Sequence, residues 1–160
     1  MRPSGDRDAL SRCRFTGTRH IWIENSDVDL NLGGRRGFAA AVAFRRSPLQ
    51  EPIEPPGHQR GPAKWHGDQV LLSKYNGNVC GAFRLGIDVE GFLFFERNVA
   101  PQPLRSNEVV EDESWHVVVC SYDGEELSIF LDGVLCASEQ SGLQLDEEET
   151  PLLIGSNLLR

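Results

Sequence analysis

The sequence WHVVVCSYDGEELSIFLDGVLC, from Trp115 to Cys136, carries the clearest indication of the fold class of this chain. It contains two Asp-Gly pairs, Asp123-Gly124 and Asp132-Gly133, and each pair is flanked by runs of apolar and β-branched residues. Asp-Gly favours the tight turns that need positive φ, so the stretch predicts three consecutive antiparallel strands. Helix is a poor alternative because both glycines would fall inside any helical window.

The rest of the chain repeats this pattern of short strands and turns. Apolar residues recur at every second position in residues 38–44 and 83–87, and a Glu90-Gly91 turn separates the second of these runs from a further strand at 92–97. Four alanines in residues 37–46 favour a helix locally, but the period of two favours a strand. We therefore predict an all-β sandwich or barrel with less than about 10% helix.

Two segments do not follow the strand pattern. Residues 47–69 carry five prolines and three glycines, which predicts a long irregular loop. Residues 104–114 are acidic and follow Pro101 and Pro103, so we predict a second loop there. Residues 1–12 are polar and charged, and we expect a flexible N-terminal arm.

Composition excludes several classes of function. The chain has 160 residues, of which 39% are hydrophobic and 25% charged, as in an ordinary globular domain. Its net charge of −8 argues against nucleic acid as a partner and against attraction to an anionic membrane surface. No apolar run reaches the roughly 20 residues of a membrane span, and the first ten residues lack the apolar core of a secretory signal.

The four cysteines, Cys13, Cys80, Cys120 and Cys136, form no CxxC pair, which argues against a zinc site. Three of them fall in predicted strands, where a free cysteine behaves as a small buried apolar residue. The even number also permits at least one disulfide, so both states stay open at this point.

Several short motifs occur in an order that resembles a known family. They are Phe15-Thr16-Gly17, Leu72-Ser73-Lys74, Phe83-Arg84-Leu85-Gly86-Ile87, Gly91-Phe92-Leu93-Phe94, Trp115-His116-Val117-Val118, Tyr122-Asp123-Gly124, Phe130-Leu131-Asp132-Gly133 and Leu153-Ile154-Gly155. From about Cys13 to Gly155, this string resembles the laminin-G-like domains of the concanavalin A-like lectin/glucanase superfamily. The resemblance implies a jelly-roll sandwich of two antiparallel sheets over residues 13–160.

The C-terminus departs from the family pattern. Laminin-G-like domains continue past the Ile154-Gly155 strand with a segment that returns to pair beside the N-terminal strand, whereas only five residues follow Gly155 here. We therefore expect the domain to lack its usual C-terminal closing strand. An uncovered edge is prone to association, so we expect it to be covered by residues 1–12 folding back, by a second copy, or by edge-strand pairing with another chain.

The resemblance implies a binding function rather than catalysis. Catalytic members of the superfamily carry clustered carboxylates on one strand, and no such arrangement occurs in this sequence. We expect a non-catalytic recognition module for carbohydrate or an extracellular protein, and the resemblance favours an extracellular or cell-surface location. The alternative is a structural or accessory subunit that docks in a larger assembly through the proline-rich loop and the open sheet edge.

Candidate binding residues cluster around the end of the proline-rich loop. Aromatic side chains in a polar loop suggest contacts with a ligand, although Trp65 could equally pin the loop to the sandwich. The predicted ligand-binding residues are Trp65, His66, Tyr75, Asn76 and Asn78.

Calcium is the cofactor that the resemblance suggests, and it requires several oxygen ligands from loops. Suitable donors near one rim are Asp68, Asn76, Asn78 and Asp88, with turn formation as the alternative role for these residues. Trp115 and His116 are expected to pack within the sandwich rather than to form a platform for a sugar.

Overall fold

A computed structural model describes residues 21–23, 32, 37–46, 68–74, 83–97, 102–111, 113–141 and 150–155. Within these residues the chain forms ten β-strands and no helix, so none of them belongs to a helix that could cross a membrane. The strands are β1 (Ile21–Ile23), β2 (Phe38–Arg45), β3 (Gln69–Lys74), β4 (Phe83–Ile87), β5 (Phe92–Glu96), β6 (Leu104–Val109), β7 (Trp115–Tyr122), β8 (Glu126–Leu131), β9 (Val134–Gln140) and β10 (Leu152–Ile154).

The strands form two antiparallel sheets. The six-stranded sheet has the order β1-β10-β3-β4-β5-β6, and the four-stranded sheet has the order β2-β7-β8-β9. Within the described residues, every adjacent pair is antiparallel. The predicted all-β, jelly-roll class is therefore confirmed.

Residues 115–136, with the two Asp-Gly pairs, form most of the four-stranded sheet. Asp132 and Gly133 have φ values of 51° and 84°, the left-handed conformation that a two-residue hairpin turn requires. At the other turn, Asp123 Oδ1 accepts hydrogen bonds from the backbone N–H groups of Glu125 and Glu126, at 2.9 and 2.8 Å. The Asp-Gly pairs therefore set the register in which β7 pairs with β8, and β8 with β9.

The core lies between the sheets and is filled by alternate residues of both. In β2, Phe38 and Phe44 point inward while Ala39, Ala41 and Ala43 are exposed, so the period-two pattern outweighs the helix preference of alanine. The buried cluster comprises Phe44, Leu72, Phe83, Leu85, Ile87, Leu93, Phe95, Leu104, Val110, Val118, Cys120, Tyr122, Leu127 and Ile129.

Strand β6 corrects the prediction of a loop over residues 104–114. Its inward positions are Leu104 and the polar Ser106, and Ser106 interrupts the apolar alternation that would have indicated a strand. The Ser106 hydroxyl accepts a hydrogen bond from the Leu93 N–H at 3.0 Å and donates one to the Glu108 carbonyl at 2.8 Å. The Ser106 side chain thus supplies hydrogen bonds at the position where the register between β5 and β6 shifts.

Strand β10, close to the C-terminus, pairs with the N-terminal strand β1 on one side and with β3 on the other.

Cys120 and Cys136 are buried free thiols, which confirms the prediction of buried thiols for these two cysteines. The N-terminal arm, residues 47–67, Cys13, Cys80 and residues 156–160 lie outside the described residues, so the expectations about the arm, the loop and the closing strand stay predictions.

Candidate functional site

A cavity of about 210 Å³ opens on the face of the six-stranded sheet that points away from the core. This face is set by alternation: Phe83, Leu85 and Ile87 of β4 point into the core, so Arg84 points outward. The same rule turns Phe94 of β5 outward, since its neighbours in sequence are buried in the core. The residues that line this outer cavity are Asp68, Arg84, Asp88, Phe94, Gln102, Pro103 and Arg105.

Arg84 is held over the floor of the outer cavity. Its guanidinium carbon lies 4.8 Å from the centroid of the Phe94 ring, and its Nε and Nη2 contact Glu96 Oε2 at 2.8 and 2.6 Å. Arg84 and Glu96 face each other across β4 and β5, so the sheet register itself creates the pair. The guanidinium is therefore fixed by stacking on one side and by a charged hydrogen bond on another.

Asp88 shapes the turn between β4 and β5. Its Oδ1 accepts hydrogen bonds from the backbone N–H groups of Glu90 and Phe92 at 2.9 and 3.0 Å, and its Oδ2 accepts one from Arg105 Nε at 2.6 Å. Partial burial alone would raise the pKa of Asp88, but the hydrogen bonds from Arg105 and the two backbone groups outweigh it and lower the pKa. Asp88 thus has the turn-forming role that the sequence left open, and its carboxylate also lines the outer cavity.

Arg105 reaches the outer cavity from β6. Besides Asp88 it pairs with Glu90, and its guanidinium carbon lies 3.9 Å from the centroid of the Phe92 ring. Stacking and two ion pairs direct this long side chain toward the turn between β4 and β5. The cavity is consequently flanked by two guanidinium groups that are already paired with carboxylates of the protein.

Asp68 differs from the other charged residues of the outer cavity. Its side chain is 37% exposed, and its one ion pair with the described residues is a 3.9 Å contact from Arg84 Nη1, too long for a hydrogen bond. Burial raises the pKa of Asp68; the neighbouring Asp88 and Glu96 carboxylates act in the same direction, and Arg84 opposes them. Asp68 is a partly desolvated carboxylate whose capacity to accept hydrogen bonds is not used by the described residues.

The structure describes two of the site residues that the sequence predicts, and the other five lie outside the described residues. Asp68 and Asp88 both line the outer cavity. Trp65, His66, Tyr75, Asn76 and Asn78 lie outside the described residues, so their predicted roles are untested.

The predicted calcium site also stays a prediction. In the part of the chain that the structure describes, no three His, Cys, Asp or Glu side chains gather into a group that could hold a metal ion. The predicted ligand set combines Asp68 and Asp88 with two asparagines that fall outside this part.

Sequence reasoning did not identify Arg84, Phe94 or Arg105 as site residues. The sequence did carry a signal for two of them. Arg84 and Phe94 occupy the outward positions of strands whose alternate residues are apolar and buried. An aromatic residue that points away from the core indicates a second contact surface. Arg105 carried no such signal, because the strand that holds it was predicted as a loop.

His116 and Trp115 have different environments. His116 is buried, lies 5.8 Å from the Phe44 ring between centroids, and places Nδ1 2.7 Å from Asp132 Oδ2. Its Nε2 lies 3.2 Å from the Glu111 carbonyl oxygen. The packing role is confirmed for His116 but is wrong for Trp115, which is 54% exposed at the start of β7.

Comparison with protein families supports the sequence resemblance. Residues 61–158 match the laminin-G family model that is described as the concanavalin A-like lectin/glucanases superfamily. No sequence among the curated proteins matches the chain.

Solved structures show the same fold at low sequence identity. Domains LG4-5 of the mouse laminin alpha1 chain align with 88% of this chain at 14% identity and a TM-score of 0.58. Domain 4 of AbnA, an extracellular arabinanase from Geobacillus stearothermophilus solved in complex with arabinotriose, aligns with 89% at 9% identity and a TM-score of 0.56. The endo-beta-1,4-glucuronan lyase from the fungus Trichoderma reesei aligns with 88% at 14% identity and a TM-score of 0.50. The alignments cover 32%, 61% and 65% of those three chains, respectively, so this chain corresponds to less than two thirds of each.

Proposed function

Because the chain belongs to the laminin-G family of the concanavalin A-like lectin/glucanases superfamily, we propose that it is a non-catalytic recognition module that binds carbohydrate through the outer cavity. The observation that carries this proposal is the Asp68 carboxylate, which is partly buried in a cavity and accepts no hydrogen bond from the described residues. Partial desolvation of a carboxylate that accepts no hydrogen bond costs free energy, and a ligand that donates hydrogen bonds to it recovers part of that cost.

The remaining lining residues suit a sugar. Arg84, Arg105 and Gln102 supply planar polar groups, Pro103 offers an apolar contact to the C–H groups of a ring, and the buried Phe94 supports Arg84 from below. The volume of about 210 Å³ lies below the roughly 300–1,000 Å³ of pockets that enclose drug-sized ligands, so it suits one sugar unit of a longer chain. The arabinanase domain solved with arabinotriose is an example of this fold in complex with a saccharide.

The hydrogen bonding of Asp88 argues against glycosidase chemistry. Retaining and inverting glycosidases need two carboxyl groups, of which one attacks the sugar or activates water. Both oxygens of Asp88 are already occupied, Oδ1 by two backbone N–H groups and Oδ2 by Arg105. The described residues that line the cavity therefore include no second carboxylate, besides Asp68, with an unoccupied oxygen. We propose that the chain binds sugar without cleaving it.

A glycan array probed with the full chain tests the proposal, with Asp68→Asn as the site variant and Glu139→Gln as the control. Glu139 is an exposed carboxylate on β9, so its change matches the chemistry of the first substitution away from the cavity. We expect Asp68→Asn to weaken glycan binding about tenfold, equivalent to about 1.4 kcal/mol, and Glu139→Gln to leave it unchanged. Absence of glycan binding, or equal binding by both variants, would overturn the proposal.

A second candidate function is docking as a structural or accessory subunit through the β1 edge. Ile21 and Trp22 of β1 are 40% and 47% exposed, which is high for large apolar side chains at the end of a sheet. Light scattering on the full chain tests this candidate. Association that Ile21→Ser reduces would support docking at β1, and a concentration-independent monomer mass would count against self-association there.

Membership of this family also favours a particular cellular location for the protein. We propose an extracellular or cell-surface location, because laminin-G-like domains are typically extracellular. Detection of the natural gene product in the medium or on intact cells by an antibody against this domain tests the proposal, and detection only inside cells would contradict it.

A further inference from the structure

The two guanidinium groups of the outer cavity are already occupied by carboxylates of the protein. Arg84 directs Nε and Nη2, one edge of its fork, at Glu96. Arg105 directs Nε at Asp88 and Nη2 at Glu90. The Nε/Nη2 edge is one of the two edges through which a guanidinium binds a carboxylate or sulfate in a bidentate manner, so an anionic sugar would have to displace an internal partner before it could bind at this edge.

The charge around the outer cavity also disfavours an anion. Four carboxylates, those of Asp68, Asp88, Glu90 and Glu96, accompany the two guanidiniums in the contacts described above, a formal excess of two negative charges. The whole chain has a net charge of −8. Both the local and the overall field therefore repel uronic acids and sulfated sugars.

Asp68 supplies the complementary chemistry. A carboxylate is an acceptor with two oxygens, and it can receive hydrogen bonds from two adjacent hydroxyl groups of a sugar. The described cation within ion-pair range, Arg84 Nη1, is 3.9 Å away and forms no hydrogen bond with these oxygens, and the Asp68 side chain is 37% exposed. Hydroxyl groups are neutral donors, so they satisfy Asp68 without adding negative charge.

We infer that the outer cavity selects a neutral saccharide with adjacent hydroxyl groups over uronic-acid-containing or sulfated glycans, and that the Arg84–Glu96 pair sets this selectivity. The inference rests on the proposed carbohydrate-binding function and adds the class of ligand to it. Asp68 binds the hydroxyl pair, while Glu96 keeps the Arg84 fork from recruiting an anionic group.

Isothermal titration of the full chain separates the ligand classes. The neutral probes are maltotriose, cellotriose and arabinotriose, and the anionic probes are trigalacturonate and a sulfated heparin tetrasaccharide. We expect the best neutral probe to bind at least about tenfold more tightly than either anionic probe. Its affinity should change less than about twofold between about 50 and 300 mM NaCl, because no net charge is neutralised on binding.

Glu96→Gln provides a gain-of-function readout that loss of folding cannot mimic. The substitution removes the charge that occupies the Arg84 fork, so we expect the affinity for trigalacturonate to rise about fivefold or more while neutral binding persists. Glu139→Gln should change neither affinity.

Three results would overturn the inference. Tighter, salt-sensitive binding of the anionic probes by the unmodified chain would contradict the selectivity and leave carbohydrate binding intact. An unchanged trigalacturonate affinity in Glu96→Gln would remove the role of the Arg84–Glu96 pair. Failure of every probe to bind would overturn the proposed function together with the inference.

Discussion

The ring of Phe94 occupies the space that a Cβ atom on Gly86 would need. A Cβ built at Gly86 would lie 2.7 Å from Phe94 Cζ and 2.7 Å from the backbone oxygen of Gln69. Gly86 and Phe94 are opposite each other in the pairing of β4 with β5, and Phe94 is buried although it points away from the core. The absence of a side chain at residue 86 thus allows an aromatic ring to form the floor of the outer cavity.

We therefore predict that Gly86→Ala destabilises the domain and disturbs the cavity. Contacts this short force the ring and the strand apart, and overpacking of this kind costs about 1–3 kcal/mol. The expected fall in Tm is about 4–8 °C for a cost of about 2 kcal/mol in a domain of this size, measured by differential scanning calorimetry.

The control is Gly37→Ala, where the nearest atom to the added Cβ is the Tyr122 carbonyl oxygen at 3.2 Å. Its effect should be smaller, since the neighbour has to move by only a few tenths of an ångström. Equal melting temperatures for Gly86→Ala and the unmodified chain would show that Phe94 does not fill this space.

The Asp132 carboxylate is expected to stabilise the four-stranded sheet through charge. It accepts hydrogen bonds from His116 Nδ1 and from the Val117 N–H, both at 2.7 Å, and the bond from His116, followed by that from Val117, lowers the pKa of Asp132. Asp132→Asn keeps a residue that tolerates the φ of 51° but removes the charge. Because the side chain is half exposed, we expect a modest loss of about 1 kcal/mol at pH 7.

The pH dependence of that loss has a definite sign. A lowered folded-state pKa means that the contribution of Asp132 is fully present above the ordinary value of 3.8 and disappears as the pH falls through the folded-state pKa. The difference in Tm between the unmodified chain and Asp132→Asn should therefore be constant at neutral pH and shrink in acid. A difference that grows as the pH falls would contradict this role.

The Asp68 carboxylate is predicted to destabilise the folded domain at neutral pH, whereas the Asp132 carboxylate stabilises it. Its pKa is raised, chiefly by burial, so the ionised form disfavours the folded state once the pH exceeds the folded-state pKa, and the penalty vanishes below the ordinary value of 3.8. Asp68→Asn should accordingly raise Tm slightly at pH 7, by about 1–2 °C after allowance for solvent screening, while it weakens glycan binding. A large fall in Tm would instead identify Asp68 as a structural residue.

The Cys120 thiol is predicted to be unreactive in the folded protein. It is fully buried in the core, and burial raises the pKa of Cys120 to about 12. Only the thiolate reacts with alkylating reagents, so iodoacetamide should modify Cys120 in denaturant but not in native buffer. Mass spectrometry of the labelled peptides measures this, and rapid labelling in native buffer would mean that the core opens at β7.

The strands were predictable wherever one face is uniformly apolar and the turn residues are specific. In β8, Leu127, Ile129 and Leu131 recur at every second position between two Asp-Gly turns, so pattern and turn chemistry agree even though Phe130 makes the other face partly apolar. In β6, the inward Ser106 makes hydrogen bonds that a sequence does not display, and the strand was missed for that reason.

The outer cavity was only half predictable, because its residues come from separate parts of the chain. Asp68 and Asp88 were identified as oxygen donors near one rim, and the pairing of β3 with β4 brings them to the same cavity. Arg105 enters through the register of β5 with β6, which places it opposite Phe94. No local pattern encodes that register, since it depends on a bulge within the pair.

The most direct test of carbohydrate binding at the outer cavity is a two-dimensional ¹H–¹⁵N NMR titration with the neutral trisaccharide that binds most tightly in the calorimetric panel. We expect the largest shifts at the backbone amides of Asp68, Arg84, Phe94 and Arg105. The exposed face of the four-stranded sheet, monitored at Val117 and Leu135, should not respond. Shifts concentrated at Val117 and Leu135, with the cavity amides unchanged, would show that the sugar does not bind at the outer cavity.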